Sequence, residues 1–313
     1  MGSPLISVVV LYYKRKDTIT DCIESILRQD YSNREIILVD NHSEDGLGQL
    51  VKARGYPLRY IELPENRGAC GGRNAGIREA RGEILAFLED DALFRSSSEL
   101  GNIVKAFSAR SDVHVLAFKI CDPETGALRL REWCHPCHWK DHSESEFETH
   151  WFGEGASAFR REVFEVCGGY YEPFFYGAES DDLVIRILNQ GFKILYTPRV
   201  EVGHRASETG RSSERQFYYF TRNYIWTAFK NYTLLNGARY LAVKLMMMGF
   251  FALRSGQLAS FSRGLWDGAR GAGKIKQDRA CATPQTVKYL AKLESQRPSL
   301  AVRLARHREV PQL

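Results

Sequence analysis

A chain of 313 residues with 44% hydrophobic and 26% charged residues has the composition of a globular protein with a sizeable core, which excludes global disorder. Its seven cysteines, an odd number in a long chain, argue against a disulfide framework and for buried thiols in a reducing compartment. The net charge of +5 is unevenly placed: from Ala206 onward basic residues outnumber acidic ones by about a dozen, so the first two thirds are net acidic.

Residues 6–12 form a β-branched apolar run between polar neighbours, the pattern of a strand buried on both faces. Lys14, Arg15 and Lys16 follow that run instead of preceding it, and no small-residue cleavage site comes after. The start does not read as a signal peptide, and a cytoplasmic location is expected. Asp17 can cap a helix whose apolar positions Ile19, Cys22, Ile23, Ile26 and Leu27 recur at helical spacing. Strands are predicted over 35–39, 58–63 and 83–88, alternating with helical segments, the last of which, over 68–81, opens on glycines. Such alternation predicts an α/β fold with a parallel sheet covered on both faces. Ligands bind such sheets at the carboxyl ends of the strands, which here carry Tyr12-Tyr13, Asp40 and Glu89-Asp90-Asp91.

The middle of the chain is less regular. A strand over 113–120, a turn over 122–126 and a Trp-, His- and Cys-rich stretch over 131–150 precede a short apolar run at 156–159. Helices are predicted over 161–167 and 181–189, then strands over 192–196 and 199–204. Beyond Arg211, aromatic and apolar residues at helical spacing alternate with Arg and Lys as far as about Trp266. This basic amphipathic tail suits a membrane surface; it also suits packing on the catalytic domain or a homo-oligomer interface. No apolar run reaches the roughly 18 residues of a spanning helix, and nothing before the tail reads as a nucleic-acid recognition motif. Residues 1–206 are expected to form one α/β domain and residues 207–313 a helical extension.

Three carboxylates at one buried strand end repel one another, and a divalent cation such as Mg²⁺ or Mn²⁺ relieves that repulsion and can hold a diphosphate. His204, just after a strand, can add a nitrogen ligand or serve structurally. The acidic cluster from Tyr176 to Leu183 lies at a helix start, where the dipole favours carboxylates; it can also supply a general base. The glycine-rich run 68–76 does not match the dinucleotide fingerprint, but its Arg73 can reach a phosphate or a base edge. Cys134, Cys137 and His138, with His142 nearby, have zinc-ligand types and a C-x-x-C spacing without a second tight pair; an acceptor loop without metal is the alternative.

The runs SVVVLYYKRKDTITDCIESILRQDY, EIILVDNHSEDG and ENRGACGGRNAGIREARGEILAFLEDDA resemble the N-terminal half of family 2 glycosyltransferases. The run GEGASAFRREVFEVCGGYYEPFFYGAESDDLVIRILNQGFKILYTPRVEVGH resembles their acceptor half, with the greatest likeness to bacterial rhamnosyltransferase-type enzymes. The resemblance implies a GT-A (Rossmann-like) fold: a mixed, mostly parallel sheet flanked by helices. It implies inverting transfer from a UDP-, dTDP- or GDP-linked sugar to a glycan or lipid-linked acceptor in surface glycan biosynthesis. In that light Tyr13 and Asp40 contact base and ribose, Arg73 and Asp90 bind donor, and Asp91, His204 and Glu89 hold Mn²⁺ or Mg²⁺. Residues 151–156 then line the acceptor side, and the resemblance implies that residues 1–206 are the catalytic domain, with a nucleotide-binding half over 1–92 and an acceptor half over 93–206. One departure concerns the base: Ser180 stands where the family has aspartate, so Glu179 or Asp181 takes over, or the chain binds nucleotide sugars without turnover. Nucleotidyl transfer, the competing enzyme class, leaves the cluster over 177–183 unexplained.

Overall fold

The computed structural model describes residues 3–205 and 212–299, so the boundary expected at residue 206 lies outside the described residues. The first half alternates β1 (Ile6–Tyr12), α1 (Lys16–Leu27), β2 (Arg34–Asp40), α2 (Leu47–Arg54), β3 (Arg59–Glu62), α3 (Gly68–Glu79) and β4 (Ile84–Glu89). β1 runs parallel to β2 and β4, and β2 parallel to β3. Side chains alternate across the sheet, as a pleated strand requires. Ile6, Val8, Val10 and Tyr12 enter the core beneath α1, whereas Val9 enters the opposite core with Cys70 and Ala75 of α3. The glycines of α3 let it lie flush on the sheet. A Cβ on Gly72 would come within 2.3 Å of Leu11 Cδ1, and one on Gly76 within 2.3 Å of Val9 Cγ1.

The second half contributes β5 (Ala92–Phe94), α4 (Glu99–Ala109), β6 (Val113–Cys121), α5 (Trp139–His142), β7 (Phe147–Thr149), β8 (Ala156–Arg160), α6 (Glu162–Cys167), α7 (Glu179–Asn189) and β9 (Lys193–His204). Sheet order is β3-β2-β1-β4-β8-β6-β9-β5, with β7 also on β9. β8 is antiparallel to β4 and β6, which makes the sheet mixed and mostly parallel, as expected. Two predicted strands, 192–196 and 199–204, are one continuous strand, β9. A register shift against β6 between Phe118 and Lys119 absorbs Thr197 to Glu201, where Pro198 lacks the N–H a regular ladder needs. β5, α5 and β7 are too short to leave a period in the sequence, whereas α4, also not predicted, carries Leu100, Ile103, Val104 and Phe107 at helical spacing.

Among the described residues four α-helices follow: α8 (Ser213–Asn231), α9 (Leu234–Arg254), α10 (Leu258–Gly271) and α11 (Pro284–Glu294). None of the described helices is long and apolar enough to cross a membrane. α8 docks on α7 through a buried charge cluster. The fully buried Asp182 accepts from Lys230 Nζ at 2.6 Å, Asn231 Nδ2 at 2.7 Å and Arg186 Nη2 at 2.8 Å. Burial alone would raise this carboxyl, but Arg186 and Lys230 hold it below its ordinary value. Its stabilisation is therefore present above the ordinary carboxylate range and is lost as pH falls through the lowered value. Asp182→Asn removes the charge opposite a buried lysine and is expected to destabilise the fold by about 3 kcal/mol in urea titration at neutral pH. Unchanged stability would mean that the cluster does not join the tail to the sheet.

Candidate active site

A cleft of about 2280 Å³ opens over the carboxyl ends of β1 and β4 and is closed on its far side by the tail helices. Its acidic floor is built by chain reversal. After β4, Glu89 is followed by Asp90 and Asp91, and β5 turns back antiparallel to the end of β9, with Ala92 opposite His204. The N–H of Arg205 donates to the carbonyl of Asp91 at 3.0 Å, so His204 and Asp91, 113 positions apart, become neighbours. Glu89, Asp91 and His204 offer ligand atoms within 4.8 Å of one another. Two carboxylates and an imidazole are a donor set that fits Mn²⁺ or Mg²⁺.

His204 is oriented from behind. Its Nδ1 lies 2.7 Å from Glu132 Oε2, leaving Nε2 to face Asp91 Oδ1 at 3.1 Å and Glu89 Oε2 at 3.6 Å. Burial works against a charged ring, but the hydrogen bonds to Asp91 and Glu132 prevail and push His204 up to about 10. The ion-free chain therefore holds a proton where a cation would bind, and the two compete. A carboxylate behind a ligating histidine is a recurrent way to fix its tautomer. Glu132 sits in an irregular stretch, and no sequence signal singled it out.

Asp90 and Asp91 share a second cation, Arg15, whose Nη1 is 2.7 Å from Asp90 Oδ1 and 3.0 Å from Asp91 Oδ2. The N–H of Tyr13 donates to Asp90 Oδ2 at 2.8 Å. Burial nevertheless raises the Asp90 carboxyl to about 7, against the pull of Arg15. Arg15 was missed in the sequence, although its place just past the end of β1 was the available signal. Tyr13 lines the cleft, but Asp40 does not. The buried Asp40 carboxylate accepts from Ser43 N–H at 2.9 Å and from the Tyr60 hydroxyl at 2.8 Å.

Arg73 connects the acidic floor to the start of α7. Its buried guanidinium donates to Glu89 Oε1 at 3.1 Å and to Glu179 Oε1 at 3.2 Å. Glu179 is 5% exposed; burial and the neighbouring Glu154 carboxylate raise it to about 7 despite Arg73. Glu154 accepts from the N–H of Ser180 at 3.2 Å and is itself raised by burial. It belongs to the expected acceptor-side segment, of which Trp151, Gly153, Glu154, Gly155 and Ala156 line the cleft. Gly155 is needed there, because a Cβ would meet Glu89 Cγ at 2.4 Å. Asp181, the other candidate base, is engaged by α9: Tyr240 and Lys244 both donate to its Oδ2 at 2.8 Å.

The backbone before α7 is held in place from the tail. Asn223 Nδ2 donates to the carbonyls of Phe174, Tyr176 and Gly177 at 3.1, 2.9 and 2.6 Å. Phe175 and Ala178 adopt positive φ of 62° and 59°, conformations that persist only where surroundings over-determine them. In the Cys-rich stretch, Cys134 is exposed and Cys137 buried. His138 caps α5 by accepting from Lys140 N–H. Among the described residues, only Glu89, Asp91 and His204 form a group able to hold a metal, so the zinc reading has no geometric support.

Comparison with known proteins adds to this geometry. The model described as glycosyl transferase family 2 matches residues 7–168, just over half of the chain. A second, described as the N-terminal domain of galactosyltransferase, matches residues 134–208. The succinoglycan biosynthesis protein ExoO of Rhizobium meliloti (strain 1021) is 36% identical over 128 residues, covering 41% of this chain and 37% of that protein. The UDP-Glc:alpha-D-GlcNAc-diphosphoundecaprenol beta-1,3-glucosyltransferase WfaP of Escherichia coli is 36% identical over 88 residues, covering 28% and 35%. The chain thus spans little more than a third of these curated relatives' own length. Among solved structures, a mannosyltransferase from Pyrobaculum calidifontis in complex with GDP-Man and Mn²⁺ superposes with a TM-score of 0.57 at 19% identity, covering 98% of this chain and 84% of that one.

Proposed function

The chain belongs to glycosyltransferase family 2, and on that premise we propose that its cleft transfers one sugar, with inversion, from a nucleoside diphosphate sugar to an acceptor hydroxyl. The observation that carries this reading is the convergence of Glu89, Asp91 and His204 at the carboxyl end of β4. Those three residues would hold Mn²⁺ or Mg²⁺, and such an ion supplies Lewis-acid stabilisation of charge on a leaving diphosphate. Mn²⁺ in the Pyrobaculum mannosyltransferase supports that choice. Tyr13, Arg15 and Asp90 line the nucleotide side, and Asp40 holds the adjoining Ser43 turn. Glu179 is the base: it faces the cleft, it is buried, and its proton affinity lies near neutrality, where a general base works best. Asp181 has both a lysine and a tyrosine on one oxygen and instead fastens α9. The rhamnosyl subtype and the surface-glycan acceptor suggested by the resemblance belong to this same proposal.

A thermal-shift screen of uridine, thymidine and guanosine diphosphate sugars, each with and without Mn²⁺, tests it. One nucleotide is expected to raise the melting temperature only with the ion; at about a hundredfold excess over Kd the gain is about 2.7 kcal/mol. A shift that ignores the ion, or none with any donor, counts against the reading. Ser180 motivates a second reading, a nucleotide-sugar-binding protein without turnover; an ion-dependent shift with no transfer to any acceptor would favour it.

A further inference from the structure

The tail carries an apolar ridge that nothing in the described structure covers. Leu235, Met246, Phe250 and Leu253 of α9 recur near helical spacing, and Leu258 and Trp266 are likewise exposed on α10; Met246 is 70% and Leu253 66% exposed. On the adjoining row of α9, Val243 and Met247 line the cleft, as do Met246 and Phe250. The apolar surface is therefore continuous from the outside of the molecule into the candidate active site. Contiguous exposed apolar surface of this kind marks an interaction site.

Charge identifies the partner. Residues 234–274 carry Arg239, Arg254, Arg263, Arg270 and Lys274, besides the Lys244 that pairs with Asp181, against a single acidic residue, Asp267, which accepts from the Tyr218 hydroxyl at 2.8 Å. The cations stand beside the apolar residues: the Arg254 guanidinium lies 5.7 Å from the Phe250 ring centre and that of Arg270 5.5 Å from Trp266. Apolar side chains, an exposed tryptophan and flanking arginines are what the headgroup boundary of an anionic bilayer accommodates. A second copy of the chain fits less well, because a two-fold interface sets this ridge against itself and opposes like charges.

We propose that α9 and α10 lie in the surface of an anionic bilayer and that the cleft opens at that level. An acceptor anchored in the same membrane then lays its apolar chain along Met246 and Phe250 while its hydroxyl reaches Glu179. The acceptor step rests on the transferase reading; the docking does not.

Co-sedimentation of the full chain with phosphatidylcholine vesicles, with and without about one third phosphatidylglycerol, tests the docking without donor or ion. Binding to the anionic vesicles is expected, weakening as salt rises. The double variant L253E/W266E, outside the cleft, should bind at least about tenfold more weakly. Val166→Glu, at an exposed apolar position on α6 away from the tail, should bind as the parent does. L253E/W266E should also keep the ion-dependent donor shift, which shows it folded and keeps the two readings separable. If that shift is absent from the parent while vesicle binding persists, the transferase reading fails and the docking stands. No binding by the parent, or equal binding by L253E/W266E, overturns the docking. So does a parent dimer that ignores vesicles and is dispersed by L253E/W266E, since the ridge would then be a self-interface.

Discussion

Asp91→Asn is expected to lower transfer about 10³-fold, the several kcal/mol that a metal Lewis acid supplies. Asparagine keeps the size of a side chain that is almost wholly buried but removes the charge that faces His204 on one oxygen and Arg15 on the other. A divalent ion would lose one of two carboxylates, and its remaining ligands, Glu89 and His204, are already engaged by Arg73 and Glu132. The ion-dependent thermal shift should disappear together with the rate, whereas the ion-free protein should still fold. A variant that retains both rate and shift would remove Asp91 from the metal role.

Glu179→Gln is expected to cost about 10²–10⁴-fold in rate, the usual worth of a general base. Because the carboxyl is raised to about 7, the parent's kcat/KM should climb as pH rises towards neutrality and level above it. The glutamine variant should lack that limb, and Glu154→Gln should shift it to lower pH by removing a neighbouring negative charge. Stability carries an independent signature. A carboxyl raised in the folded state binds its proton more tightly there than in the unfolded chain, so stability falls as pH rises from the ordinary carboxylate range to about 7. Glu179→Gln removes its share of that fall and leaves those of Asp90 and Glu154, which are also raised, so the variant should gain relative stability at neutral pH while losing rate. Asp181→Asn should do the reverse, sparing the chemical step and loosening α9. Loss of rate in Asp181→Asn with Glu179→Gln unaffected would exchange the two assignments.

The assignment of the base turns on where α7 begins and on what faces it, and the sequence resolved neither. Glu179 and Asp181 lie two positions apart at a helix start, so they point in different directions around the axis. That geometry sends Glu179 to Arg73 and Asp181 to Tyr240 and Lys244, but only once α3 and α9 have packed on either side. Glu154 illustrates the same limit. Its segment was expected on the acceptor side, yet its pairing with the N–H of Ser180 depends on β8 entering the sheet antiparallel between β4 and β6.

The alternation of buried strands and amphipathic helices through residue 90 was legible from local pattern alone, because a strand buried on both faces and a helix with one apolar face each leave their period in the sequence. With it came the rim where Tyr13, Asp40 and the Glu89-Asp90-Asp91 run end their strands. The two-strand reading of β9 shows where local pattern misleads: Pro198 looks like a break, and the sheet accommodates it as an irregularity. Only the tertiary structure decided that β5 reverses beside β9 to set His204 against Asp91, that Glu132 turns the ring, and that Arg73 joins Glu89 to Glu179. Those contacts join residues as much as 113 positions apart, and no periodicity encodes them. They exist because distant strands and helices bury their apolar faces together, and the polar side chains at the strand ends are carried along into register.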